Sequence, residues 1–224
     1  MGSELSLLRL LQLASPALPV GMYSYSQGME RAVEDGWIRD EAEAGEWIGG
    51  LLDRGMTRLD LPVLLRLYDA WSAGTGETVE HWSRRLTAFR ETAELRAEDR
   101  QTGQALARLL EFLEVAAAGP WVWHPHATFA TGFSLAGVAW DIPRFEIAAG
   151  YLWSWLENQV LCAVKLVPLG QVAGQRLSRD LAARIPERVH EAWAIQDDDI
   201  GSGAFGLALA SSRHEMQYSR LFRS

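Results

Sequence analysis

The chain has 224 residues, 48% of them hydrophobic and ten of them tryptophan, so it can bury a sizeable core and is not a disordered segment. A formal net charge of −8 argues against nucleic acid as a general partner, because phosphate recognition needs a basic face. One cysteine, Cys162, excludes a disulfide framework, and Glu4 and Arg9 inside the first apolar run are unlike a signal peptide; together they imply a cytoplasmic protein.

The predicted elements are all helical. Residues 5–14 are leucine-rich and end at a Pro16/Pro19/Gly21 turn that cannot continue a helix. A second helix is expected from Ser24 or Tyr25 to Asp35, stopped by Gly36. Asp40 and Asp60 read as caps of the third and fourth helices, the fourth with Pro62 in its first turn. After Gly74 comes a long helical region, 77–117, broken or kinked near 89–91. Its charged middle, residues 90–100, reads as a solvated face held by i,i+4 pairs such as Arg90 with Glu94.

Residues 115–140 carry no Asp, Glu, Lys or Arg, but Pro120, Pro125 and the two histidines divide them into an aromatic loop and a buried helix from Thr128. No membrane span is therefore expected. Small residues Gly132, Ala136 and Gly137 on that helix predict a close crossing. Residues 143–170 are apolar on nearly every face and predict a long central helix, opened by Pro143 and closed before Pro168. Further helices are expected over 169–184, 186–194 and 204–216, the last capped by Asp197, Asp198 and Asp199. The expected architecture is all-α: one compact domain, 1–224, of about ten helices around the central one.

The sequence holds no P-loop, nucleophile elbow or dinucleotide fingerprint, and no cofactor is expected. His124 and His126, with His190, could form a weak metal site. His214-Glu215 lacks the second histidine of a zincin motif. Lys165 is the sole lysine among 21 basic residues and lies on the central helix. Two readings are open for it. One is a desolvated catalytic amine near Tyr151 and Glu157. The other is a snorkelling cation at a helix C-terminus, offered to a partner.

Several segments occur together in order: Leu8 to Ser15, Leu18-Pro19-Val20-Gly21, Tyr25-Ser26-Gln27-Gly28-Met29-Glu30, Arg90 to Arg96 followed by Gly103, Lys165-Leu166-Val167-Pro168-Leu169-Gly170-Gln171, Asp199-Ile200-Gly201, and Arg213-His214-Glu215 through Tyr218-Ser219-Arg220-Leu221-Phe222-Arg223-Ser224. On these motifs the chain resembles the UreF family of urease accessory proteins. The stretch from Trp121 to His126 lies outside them. The resemblance implies a non-enzymatic, all-α assembly factor, often dimeric. Such a factor would bridge a UreD/UreH-type protein and the GTPase UreG, tune GTP hydrolysis and help deliver nickel to the urease apoprotein.

Tyr23, Gln27 and Glu30 fall at i, i+4, i+7, one face that a GTPase could contact. The tail residues Arg213, His214, Glu215, Tyr218, Arg220, Leu221, Phe222 and Arg223 carry the arginine and aromatic anchors typical of interface hot spots. Segments 1–22 and 213–224 are expected to stay flexible until a partner binds.

Overall fold

The computed structural model describes residues 2–224. Among them are eleven α-helices and no strand: α1 (Gly2–Leu13), α2 (Met29–Glu34), α3 (Glu41–Leu51), α4 (Leu61–Ser72), α5 (Gly76–Ala88), α6 (Ala93–Phe112), α7 (Phe129–Ala139), α8 (Arg144–Leu166), α9 (Gln171–Ala182), α10 (Ile185–Ala194) and α11 (Phe205–His214).

The all-round apolar character of α8 makes it the hub. It packs against α1, α2, α3, α4, α7, α9 and α10, and Ile147, Leu152, Leu156 and Ala163 on it are fully buried. Glycines set how closely neighbours approach. A β-carbon on Gly137 would sit 2.7 Å from Ile147 of α8, and one on Gly150 would sit 2.5 Å from Leu10 of α1. The small residues of α7 thus mark a close crossing. Although α1 seats Leu10 on α8, its Leu5, Leu7, Leu8 and Leu11 face outward. Among the described residues no helix is long and apolar enough to cross a membrane, and α7 is almost wholly buried within the protein.

Three boundaries differ from expectation. First, α2 starts at Met29 rather than Ser24, because Gln27 (φ 52°) and Gly28 (φ 74°) are both left-handed. Second, Asp60 is not a helix cap. The chain runs without a break from α3 through a π-helical segment, Leu52–Asp60, into α4, and Thr57 Oγ1 donates to the Leu52 carbonyl five residues back at 2.7 Å. Asp60 is helical there and turns its carboxylate inward. Third, Asp197–Asp199 form a 3₁₀ turn rather than capping α11. Asp197 instead receives Arg66 Nε at 2.9 Å, and its carbonyl accepts from Arg85.

Candidate partner-binding site

Only part of the charged middle of the sequence is solvated: Glu91, Arg96 and Arg100 are exposed, whereas Arg90, Glu98 and Asp99 turn inward. Arg90 precedes α6 and points inward, pairing with Asp60 and, through Nε at 2.9 Å, with Asp99. The expected Arg90–Glu94 pair is absent from the described contacts because Asp60, from the π segment, offers a buried carboxylate instead. Burial opposes the charge on Arg90, but Asp60 and Asp99 outweigh it and hold the guanidinium protonated. The other oxygen of Asp99 accepts the Phe129 amide at 2.9 Å and so anchors the start of α7. Tyr151 points its hydroxyl at Asp60, 3.5 Å away, and burial followed by that carboxylate pushes its pKa well up.

Next to Asp99, α6 presents Glu98 and, one turn earlier on the same face, Glu94, and these hold the tail. Glu98 accepts from Gln27 Nε2 at 2.8 Å and from Ser224 Oγ at 2.7 Å. Gln27 in turn accepts from the Trp155 indole at 2.8 Å, tying the left-handed turn to α8. Glu94 lies 2.7 Å from His214 Nδ1 and takes Arg220 at 2.7 Å. From α2, Glu30 accepts the amides of Leu221 and Phe222 at 2.7 and 2.8 Å and lies 3.4 Å from His214 Nε2. Ser26 meets the last residue twice: its amide (2.9 Å) and its hydroxyl (2.6 Å) both donate to the Ser224 carbonyl oxygen. The amide of Arg223 donates to the Ser24 carbonyl at 2.8 Å.

The tail is therefore packed on the body. Phe222 is buried, and Lys165 Nζ stands 5.6 Å over its ring. Arg220 folds back to donate to the Gln217 and Glu215 carbonyls, at 2.8 and 2.6 Å, which shapes the loop. Arg213 pairs with Asp35 at 2.9 Å, and Glu215 accepts the Ala93 amide that opens α6. Outward from this frame stand Tyr218, fully exposed, and Leu221, 65% exposed.

The structure gathers most of the residues singled out from the sequence, but in a different arrangement. Tyr23, Gln27 and Glu30 do not share a helical face. Tyr23 is exposed on a 3₁₀ turn, Met22–Ser24, whereas Gln27 and Glu30 point inward as brackets for α6 and the tail. Lys165 is exposed at the end of α8, while Tyr151 lies deep on the same helix against Asp60, so the two do not converge on a reactive pocket. Glu157 carries a raised pKa from burial alone. Cys162 is buried, its thiol is pushed up to about 12 by desolvation, and it donates to the Tyr25 carbonyl.

Among the described residues no group of three His, Cys, Asp or Glu could hold a metal ion. His124 packs on Trp121 and accepts the His126 amide, while His190 packs on Phe145. Sequence reasoning missed Ser26, Glu94 and Glu98. The i,i+4 spacing of the two glutamates was a signal that they share a face, but nothing local marked that face as buried.

A cavity of about 70 Å³ separates the two polar clusters, lined by Gln27, Met56, Asp60, Glu98, Asp99 and Tyr151 among others. Its walls mix these polar groups with apolar side chains such as Leu59 and Phe129, and it is large enough for water.

The molecule is an all-helical protein whose buried carboxylates are engaged by its own arginine and its own tail. Comparison with known proteins gives it its family. The UreF family model matches residues 38–182. The urease accessory protein UreF of Alkalilimnicola ehrlichii is 51% identical over 216 residues, covering 96% of this chain and 95% of that one. UreF proteins of Pseudomonas putida (50% over 224 residues, all of both chains) and Azoarcus sp. (49% over 228 residues, all of this chain and 97% of the other) agree. This chain belongs to the UreF family of urease accessory proteins, and it is an accessory protein rather than an enzyme.

Proposed function

We propose that this chain is a cytoplasmic assembly scaffold for urease maturation. It bridges a UreD/UreH-type protein and the GTPase UreG, modulates GTP hydrolysis by UreG and supports nickel insertion into the urease apoprotein. Nickel is cargo of the assembly in this reading. The observation that carries it is convergence. The motifs at Tyr25–Glu30, Lys165 and Arg213–Ser224, remote in sequence, meet at one place through the Glu30–Phe222, Ser26–Ser224 and Lys165–Phe222 contacts. Tyr23, Lys165, Tyr218, Leu221 and Arg223 are exposed and make the direct contacts, with the exposed Arg213, Glu215 and Arg220 bordering them. Gln27, Glu30, His214 and Phe222 shape the surface from beneath and let the tail adjust as a partner seats. The outward leucines of α1 support a homodimer, because a row of exposed leucines is unusual on a monomer surface.

The test is co-purification of the chain with its UreD- and UreG-type partners. Leu221→Asp and Tyr218→Ala alter exposed side chains only, so the complex is expected to be lost while the thermal midpoint stays within about 2 °C of wild type. Undiminished complex formation by both variants would overturn the reading. Truncation after Tyr218 is a poorer probe, since it also removes the buried Phe222 and the partners of Glu30, Ser26 and Glu98.

A further inference from the structure

Beside the tail, and reaching past the family motifs to Gln104, Arg108 and Trp123, lies an open pocket of about 400 Å³. Its walls are Tyr23 and Ser24 from the 3₁₀ turn, Gln104 and Arg108 from α6, Trp123 from the loop before α7, and Arg223 from the tail. Trp123 is 77% exposed and Tyr23 is 61% exposed, two large aromatic faces left to solvent across one opening. The Arg108 guanidinium lies 5.1 Å from the centre of the Trp123 ring, and Arg223 reaches Gln101, at 3.5 Å, and the Tyr25 hydroxyl, both neutral partners. Neither arginine pairs with a carboxylate among the described residues, and no Asp or Glu lines the pocket. In a chain of net charge −8 this is an unneutralised basic spot.

We propose that this pocket is a docking site for an acidic, aromatic-bearing peptide segment of a protein partner. Charge complementarity selects the anion: two unpaired arginines from different elements face one opening, and Arg108 is already held flat by Trp123. The aromatic walls select the rest of the occupant. An exposed indole and phenol offer stacking and apolar contact to a side chain, which a bare inorganic anion would leave unused. The opening is too sparsely basic for a nucleic-acid backbone or an anionic lipid surface, both of which need several cations in a row. The inference shares Tyr23 and Arg223 with the proposed assembly surface but goes beyond it, since it adds Arg108 and Trp123 and requires no particular partner for Tyr218 or Leu221.

The experiment uses the full chain and a fluorescein-labelled peptide of alternating glutamate and phenylalanine, followed by fluorescence anisotropy. Saturable binding is expected, weakened by added salt and absent for the same peptide with lysine in place of glutamate. Trp123→Ala and Arg108→Glu are each expected to weaken binding by roughly tenfold or more, with far-UV circular dichroism melts little changed because Trp123 is exposed and the half-buried Arg108 pairs with no carboxylate among the described residues. Leu221→Asp should bind the peptide as wild type does, which separates this site from the tail surface. The proposal is overturned if the peptide does not bind, if both pocket variants bind it equally well, or if inorganic tripolyphosphate displaces it fully and depends on Arg108 but not on Trp123. That last result would mark a site for small anions.

Discussion

Two buried carboxylate clusters, anchored on α6 by the consecutive residues Asp99 and Glu98, solve the same problem in opposite ways. Around Arg90, two aspartates share one guanidinium, so the buried charges are compensated on the spot. Around Glu98 no cation makes direct contact; the carboxylate leans on neutral donors, the amide of Gln27 and the hydroxyl of Ser224. The first arrangement is a fixed structural tie between the π segment, α6 and α7. The second leaves a carboxyl whose pKa is pushed from the ordinary 4.5 to about 7 by burial, against the downward pull of Ser224, Gln27 and Arg90. Compensated charge makes a joint that the protein keeps at any ordinary pH. Charge whose direct partners among the described residues are dipoles makes a joint near its tipping point, and the protein has placed that one under its tail.

Removing the cation should have the largest effect. Arg90→Met leaves Asp60 and Asp99 buried together without a counter-charge, and the expected loss is about 3–5 kcal/mol in urea unfolding. Replacing Asp60 and Asp99 by asparagine in the same background should recover much of it. If Arg90→Met alone costs under about 1 kcal/mol, the cluster is hydrated rather than buried and the contrast with Glu98 disappears.

The pH dependence tests the other half. Because folded Glu98 keeps its proton to higher pH than it does in the unfolded chain, the folded state binds more protons between about 4.5 and 7. Stability from this group is therefore greatest below that window and declines as pH rises through it. At about 1.4 kcal/mol per pH unit, the whole decline is on the order of 3 kcal/mol. Glu98→Gln cannot ionise, so the gap between variant and wild type should widen in favour of the variant from pH 5 to pH 8. His124, whose pKa is lowered by burial, contributes the opposite slope near its ordinary 6.5, but equally in both proteins, so it cancels in the difference. Parallel melting curves across that range would mean Glu98 does not titrate there.

A smaller effect is expected at Glu30, which accepts two tail amides but makes no contact with the Arg90 cluster. Glu30→Gln keeps one acceptor and should cost about 1–2 kcal/mol. Limited proteolysis should then cut near Tyr218 faster while the rest of the chain stays protected. Uniform loss of protection would show that the tail and the body unfold as one unit.

The contrast also explains which parts were legible in the sequence. The central helix could be read because its signal is local: all-round apolar character, Pro143 at one end and Pro168 past the other, against an observed Arg144–Leu166. The close packing of α7 was legible for the same reason, through Gly132 and Gly137. The two carboxylate clusters were not. Asp60 before a proline-bearing helix looks like a cap whether or not an arginine thirty residues on claims it, and periodicity cannot say which. Gln27 looks like a helical residue until the neighbouring Gly28 takes the chain left-handed. The tail looks unsupported because its partners, Glu30 and Glu98, lie far back in the sequence and read as ordinary surface acids. The family motifs named residues that meet around the tail, and only the fold showed which of them point inward and which face solvent.

The smallest effect on stability, with a large one on assembly, is expected at Lys165. It is exposed, in the last turn of α8, and its described contact is the face of Phe222. A cation there is favoured by the helix C-terminus and by the ring, each worth well under about 1 kcal/mol at an exposed site. Lys165→Met keeps the stem packed on Phe222 and removes only the charge, and Lys165→Glu reverses it. If the charge is there for a partner, both variants should melt within a few degrees of wild type, and complex formation should fall in the order wild type, Met, Glu. If it is there to hold Phe222 and the tail, proteolysis near Tyr218 should accelerate in the same order and resemble Glu30→Gln. The two outcomes distinguish a contact from a bracket at the one charged residue that joins the hydrophobic hub of the fold to its tail.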